Sequence, residues 1–115
     1  MMAAYDKSAE VLKRGLALAP ASVGLRVNLA NTYIRAGQWK EAEETLEKVP
    51  PTYETFKRYR LEAMIADSNK EWKKADSFYE TAVGLTTRPA GVLNNWGYSK
   101  LTRGDFADAE RLFGD

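Results

Sequence analysis

Side chains that could perform acid–base chemistry are concentrated in one short stretch of the sequence. In this stretch, from residue 40 to residue 48, two lysines flank four glutamates: Lys40, Glu41, Glu43, Glu44, Glu47 and Lys48. Paired carboxylates can serve as a general acid and a general base in a cleft. Because opposite charges here interleave at helical spacing, the pattern predicts a solvated helix face instead of an active site.

The residues that the commonest enzymes depend on are missing. The 115-residue chain has no histidine and no cysteine, so it offers no imidazole base, no Ser-His-Asp triad and no histidine or cysteine zinc site. It has no GxxxxGK[ST] loop or GxGxxG turn either. We therefore expect one non-catalytic domain that needs no cofactor or metal.

A second candidate chemistry is nucleic-acid binding, because basic and aromatic residues interleave near the middle of the chain: Lys57, Arg58, Tyr59, Arg60, Trp72, Lys73 and Lys74. At helical spacing the aromatic rings point inward, and 17 basic against 16 acidic residues create no general attraction for phosphates. We expect no nucleic-acid partner. The apolar runs are far shorter than the ~20 residues that span a bilayer, which predicts no direct membrane insertion. The lack of cysteine fits cytoplasm and periplasm alike, so the sequence leaves the compartment open.

The helices that must position these side chains can be predicted from an internal repeat in the sequence. Three columns of like residues recur at a nearly constant interval of about 34 residues. One column holds alanine, one an aromatic residue and one a small residue: Ala42, Ala75 and Ala109; Trp39, Trp72 and Phe106; Ala30, Ala63 and Gly97. A period of this length indicates stacked helix–turn–helix units.

The apolar periodicity predicts seven helices, grouped as a half repeat at 1–20 and repeats at 22–51, 52–86 and 89–115, the last truncated. Ser22 and Thr52 are predicted to cap helices, and Pro50-Pro51 to end one. Gly37 is predicted to form a turn, and Lys70 stands where the neighbouring repeats have glycine.

The small columns are expected to mark helix crossings, where a larger side chain would force the backbones apart. The aromatic residues are expected to fill the space between neighbouring pairs: Tyr33, Trp39, Trp72, Tyr79, Trp96, Phe106 and Phe113.

With this pattern the chain resembles the tetratricopeptide repeat proteins over nearly its whole length. The last unit matches the family pattern best, at Gly97, Gly104, Phe106, Ala109 and Phe113. Lys70 and Lys100 depart from it. The resemblance implies an all-α fold, an α-α superhelix of antiparallel helix pairs with a concave groove for a peptide.

Carried over to this sequence, the resemblance implies a set of groove residues: Asn28, Asn31, Arg35, Lys57, Arg60, Met64, Asn94, Asn95 and Tyr98. Asparagine amides can donate to and accept from a peptide backbone, and the basic residues can pair with carboxylates. Chaperone-binding members carry a lysine and an asparagine where this chain has Val27 and Leu61, which argues against a chaperone adaptor.

Two functions remain open. One is a scaffold that binds a protein or peptide partner in the groove, and weak similarity to bacterial assembly lipoproteins of pilus and secretion systems suggests a context for it. The other is self-association into a homo-oligomer, because repeat arrays need polar caps and both ends here lack one. Self-association predicts an apolar patch around Trp96, Leu112 and Phe113, and a chain excised from a longer array.

Overall fold

In the computed structural model, which describes residues 2–50, 52 and 55–114, the chain forms seven α-helices, as the periodicity predicts. They are α1 (Met2–Leu18), α2 (Val23–Arg35), α3 (Trp39–Glu47), α4 (Phe56–Ser68), α5 (Trp72–Gly84), α6 (Ala90–Thr102) and α7 (Phe106–Gly114). The predicted repeat boundaries that fall on Met1, Pro51 and Asp115 lie outside the described residues.

One of the two predicted helix caps is confirmed. The Ser22 hydroxyl accepts a hydrogen bond from the Leu25 amide at 3.3 Å and begins α2. The prediction for Thr52 is wrong, because α4 begins at Phe56 and a cap must immediately precede the first helical residue. Thr55, in an extended conformation, takes that role and accepts from the Arg58 amide at 3.3 Å.

The turns inside three helix pairs share one backbone design. In each turn one residue has a positive φ: Gly37 at 76°, Lys70 at 59° and Gly104 at 82°. The next amide donates to the carbonyl five residues earlier, at 2.8, 2.9 and 2.8 Å respectively, which is the Schellman arrangement. Lys70 therefore adopts the glycine conformation of the neighbouring repeats despite its side chain.

The helices divide into two compact units, residues 1–54 and residues 55–115. In unit 1, α2 packs against both α1 and α3. In unit 2, α4 packs against α5, α6 packs against α7, and α6 also meets α5 and α4. The small columns are buried as predicted, since each of their alanines is fully enclosed: Ala30, Ala42, Ala63, Ala75 and Ala109.

The aromatic residues divide between core and surface. Tyr33 and Tyr79 are buried, and Trp39, Trp72 and Trp96 are half-buried. Phe106 and Phe113 were expected to be covered, but they are 67% and 41% exposed. In the part of the chain that the structure describes, α7 packs against α6 alone, so these two rings have no further helix to cover them.

Candidate functional site

In unit 1 the predicted groove residues form a stripe on α2. Asn28, Asn31 and Arg35 lie three and seven residues apart, which places them on one helix face. Asn28 and Arg35 are exposed, and Asn31 is half-buried. Both asparagines line a cavity of about 510 Å³ between α1 and α2, so their amides are available to a ligand there.

In unit 2 the predicted groove residues lie on α4 and α6. Lys57 is exposed, whereas Arg60 and Met64 are half-buried. On α6, Asn94 is exposed, and the Asn95 side-chain nitrogen lies 4.0 Å from the Met64 sulfur. That contact joins the α4 stripe to the α6 stripe.

Tyr98 extends the same α6 stripe, four residues after Asn94. It is 64% exposed, and its ring meets the Phe113 ring edge-on at 5.6 Å between centroids. The stripe thus offers two amides, a thioether and an aromatic ring that a partner could contact.

The three residues predicted for self-association have different surroundings. Trp96 stacks on Tyr79, with ring centroids 6.0 Å apart, and therefore faces α5. Leu112 is buried. Phe113 is partly exposed and lies over Gly97, where an added Cβ would come within 2.5 Å of its ring. Of the three, Phe113 contributes most to the surface.

A polar cluster that the sequence analysis did not predict joins α4, α5 and α6. The Asp67 carboxylate accepts hydrogen bonds from the Tyr79 hydroxyl at 2.7 Å and from the Ser99 hydroxyl at 2.6 Å. Burial raises the pKa of Asp67 above its usual range, although both hydroxyls lower it. Burial and the Asp67 hydrogen bond also raise the pKa of Tyr79.

A second carboxylate, Asp76, ties α5 to α6. It accepts from the Trp96 indole nitrogen at 2.8 Å and from both terminal nitrogens of Arg103, and it pairs with the Lys100 ammonium at 3.4 Å. Burial raises the pKa of Asp76, but the hydrogen bonds from Arg103 and Trp96 outweigh this and hold it below its usual range. The Arg103 guanidinium also lies 5.4 Å from the centroid of the Trp72 ring.

The contacts around Asp76 explain why Lys100 departs from the family pattern. Its ammonium also pairs with Asp105 at 3.6 Å and with Asp108 at 3.3 Å. The lysine therefore connects the α5–α6 contact to the start of α7. Its unusual position was the signal in the sequence that could have revealed this network.

Among residues 2–50, 52 and 55–114, no group of three or more acidic side chains could hold a metal ion. The acidic run on α3 is a surface feature, since all four of its glutamates are exposed: Glu41, Glu43, Glu44 and Glu47. Within the same part of the chain, no helix is long and apolar enough to cross a membrane.

The comparison with protein families decides the assignment. Residues 2–65, more than half of the chain, match the family described as tetratricopeptide repeat. The chain belongs to the tetratricopeptide repeat family. Members of this class are typically non-catalytic scaffolds that bind protein partners, and the predicted family is confirmed.

Solved structures agree with the tetratricopeptide assignment. MamA of strain AMB-1, in a P212121 crystal form, is 24% identical with a TM-score of 0.73, and the match covers 95% of this chain and 65% of that one. MamA of strain MSR-1, in a C2 crystal form, is 25% identical with a TM-score of 0.70, and the match covers 96% and 64%. The chain thus spans just under two thirds of the length of these proteins. No curated protein matches it. The predicted all-α, α-α superhelix fold class is confirmed.

Proposed function

We propose that this tetratricopeptide chain binds an extended segment of a partner protein along the stripes on α4 and α6 of unit 2, as one part of a larger bacterial complex. The observation that carries the proposal is the α4–α6 face of unit 2. There the exposed Asn94 and Tyr98 share one helix face, and Asn95 reaches the Met64 sulfur of the neighbouring helix.

Each group on this face suits a different part of a peptide. Side-chain amides such as that of Asn94 can pair with a peptide backbone, since they both donate and accept. The Tyr98 ring and the Met64 thioether suit an apolar side chain. Lys57 and Arg60 suit a carboxylate, which favours a partner segment that mixes apolar and acidic residues.

The test is capture of proteins from a lysate of the source cells by the whole chain and by two variants. The Asn94→Ala, Tyr98→Ala double variant removes the amide and the ring from the α6 stripe. Phe106→Ala is the matched control, because it removes an aromatic ring that is equally exposed but lies on α7. We expect the control to retain the partner and the double variant to lose it. Retention by both variants would refute this use of the stripe.

Self-association is a second candidate, and exposed aromatic rings at the last helix pair favour it. Phe106 and Phe113 on α7, with Tyr98 on α6, are all more than a third exposed. Clustered apolar surface of this kind is typical of interaction sites. Here we expect light scattering to show an oligomer that Phe106→Ala dissociates. A concentration-independent monomer would exclude this candidate.

A further inference from the structure

In unit 2, the cleft between α5 and α7 contains two cations that α6 supplies. Lys100 and Arg103 both pair with the Asp76 carboxylate of α5. Lys100 also pairs with Asp105, just before α7, and with Asp108 on α7. The two acidic walls of the cleft are therefore bridged by positive side chains of the helix that packs against both of them.

The cleft between α1 and α3 in unit 1 is equivalent to this one. Ala9 on α1 is buried, and it lies as far before Ala42 as Ala42 lies before Ala75. It extends the alanine column by one repeat, so α1, α2 and α3 correspond to α5, α6 and α7. In unit 2 all described partners of the two cations lie within residues 72–108, so the equivalent cleft involves no helix besides these three.

The walls of the α1–α3 cleft keep their carboxylates. Counted from the alanine column, Glu10 on α1 corresponds to Asp76, and Glu41 on α3 corresponds to Asp108. Glu10 also pairs with Arg14 at 2.8 Å, but the two side chains are 62% and 75% exposed, and ion pairs of this kind contribute little. Both walls can therefore still accept a cation.

Where α6 carries its two cations, α2 carries none. Counted from the small-residue column, Tyr33 stands at the position of Lys100, and Ala36 stands at that of Arg103. Ala36 and Arg103 are both helix C-caps with nearly the same backbone, φ −83° and ψ −4° against φ −95° and ψ 9°. The two positions thus differ in side chain and not in backbone.

This part of unit 1 forms a cavity of about 320 Å³. It is lined by Asp6, Ala9, Glu10, Lys13, Tyr33, Gln38 and Glu41. The lining has three carboxylates and one ammonium, so it attracts a cation. The ammonium, that of Lys13, lies 5.7 Å from the centroid of the Tyr33 ring and makes no ion pair with the described residues. It therefore leaves the carboxylates available.

Tyr33 provides independent evidence for a ligand in this cavity. It is only 8% exposed, yet its hydroxyl makes no hydrogen bond to the described residues. A buried hydroxyl without a partner is uncommon, because the lost hydrogen bond to water is normally replaced. The hydroxyl can accept a hydrogen bond from a donor that enters the cavity.

We propose that the α1–α3 cavity binds an arginine side chain of a partner protein, at the place where α6 supplies its own arginine in unit 2. The guanidinium donates to Glu10, to Glu41 and to the Tyr33 hydroxyl. Arginine suits the site because it presents five donors in one plane, and Arg103 already gives both terminal nitrogens to Asp76 in this manner.

The attraction is confined to the Asp6 end of the cleft. An adjoining cavity of about 310 Å³ adds two cations, Arg26 and Lys48, against one further carboxylate, Glu44. The site lies on other helices than the α4–α6 face. The inference therefore goes beyond the proposed function and does not rest on it.

The probe for this site is N-acetyl-arginine amide, whose only charge is the guanidinium. It is titrated into the isotope-labelled whole protein at low ionic strength, and amide chemical shifts are followed. We expect saturable shifts in α1, α2 and the start of α3 with a Kd of about 1–10 mM, as suits a single charged side chain at a partly exposed site.

N-acetyl-citrulline amide is the matched control probe, because it has the shape of the arginine compound without its charge. No saturable shift is expected with it. Equal binding of the two compounds would overturn the proposal, and so would a lack of saturation by the arginine compound up to about 100 mM.

Ala36→Arg places a guanidinium on α2 itself, as in unit 2. We expect it to weaken binding of the arginine probe by about tenfold or more, because the chain's own side chain then competes for Glu10 and Glu41. Ala36→Gln is the neutral control and should change binding by no more than about twofold. Unchanged binding to Ala36→Arg would overturn the proposal.

Smaller changes locate the contacts. Glu41→Gln should weaken binding about three- to tenfold, and Tyr33→Phe about two- to threefold. Glu43→Gln is the control, because Glu43 is exposed on the same helix and lines neither cavity, and no loss is expected. Lys13→Met should strengthen binding about twofold, since it removes a like charge. Equal losses from the two glutamate variants, or a loss from Lys13→Met, would contradict the assignment.

Light scattering on the free protein tests the source of the arginine. If the protein is an oligomer that Ala36→Arg converts to a monomer, the arginine belongs to a second copy, which overturns the assignment to another protein. None of these results depends on Asn94 and Tyr98, so the proposed function on the α4–α6 face stands or falls separately.

Discussion

Replacing Asp76 by asparagine tests whether the polar network stabilises the contact between α5 and α6. Asparagine keeps the shape and one acceptor oxygen but removes the charge that faces Arg103 and Lys100. Both cations are nearly buried, with side chains 12% exposed, whereas the Asp76 side chain is 30% exposed. The substitution therefore leaves two poorly solvated cations short of a counter-charge.

The expected loss can be worked out from the partners that remain. A hydrogen-bonded pair with a charged group contributes about 1.5–3 kcal/mol, and breaking a fully buried pair costs about 3–5 kcal/mol. Asp76 is partly solvated, Lys100 keeps Asp105 and Asp108, and Arg103 keeps the Trp72 ring. We therefore expect Asp76→Asn to lower the free energy of unfolding by about 2–3 kcal/mol and Tm by about 8–12 °C.

The pH dependence provides an independent check. Because the pKa of Asp76 is depressed in the folded state, its stabilisation is present above the unfolded pKa of about 4 and is lost as pH falls through the folded pKa. The difference between wild type and Asp76→Asn should therefore be largest at neutral pH and shrink below about pH 4.

The measurement is urea unfolding followed by circular dichroism at neutral and acidic pH. Glu110→Gln is the control, because Glu110 is exposed and directly follows Ala109 as Asp76 directly follows Ala75, which puts it at the same position of the next repeat. Its effect should stay within about 0.5 kcal/mol. An Asp76→Asn effect no larger than this, or one that is the same at both pH values, would refute the role given to the network.

Three further predictions concern stability and use the same unfolding assay. Lys70→Gly should stabilise by about 0.5–1 kcal/mol, because glycine adopts the observed φ of 59° without the strain a side chain brings, and destabilisation would contradict this. Tyr79→Phe should cost about 1–2 kcal/mol, because half-buried Asp67 loses one of its two hydroxyl donors, and a neutral result would mean that water replaces it. Gly97→Ala should cost about 1–3 kcal/mol through its contact with Phe113, and markedly less in a Phe113→Ala background, so additive effects would speak against that contact.

The fold could be predicted from the sequence because its signals are local and repeated. The alanine columns mark helix crossings, and Gly37 and Gly104 mark turns whose backbone only glycine adopts easily. The exception at Lys70 could also be recognised in the sequence, because the glycines of the neighbouring repeats define this position as a turn. The sequence predicts a cap at Thr52, three residues before the cap at Thr55, because the hydrophobic periodicity defines a helix end only within a few residues.

The polar network could not be predicted in the same way. A charged residue on a helix, such as Asp76, faces either solvent or a neighbouring helix. Its surroundings depend on how helices that are distant in sequence cross each other. In the sequence, Lys100 alone indicated this network, because it occupies a position that is usually apolar or small.

The hydrogen bond between Asp67 and Ser99 limits how this gene segment could be rearranged. Counted from the small-residue column, the positions that correspond to Asp67 are Ile34 in the preceding repeat and Leu101 in the following one. If repeats were duplicated or exchanged, an aliphatic side chain would face the buried Ser99 hydroxyl and leave it without its carboxylate acceptor. The repeats are therefore not fully interchangeable, and a rearrangement that removes this hydrogen bond is expected to lower the free energy of unfolding by about 1–3 kcal/mol.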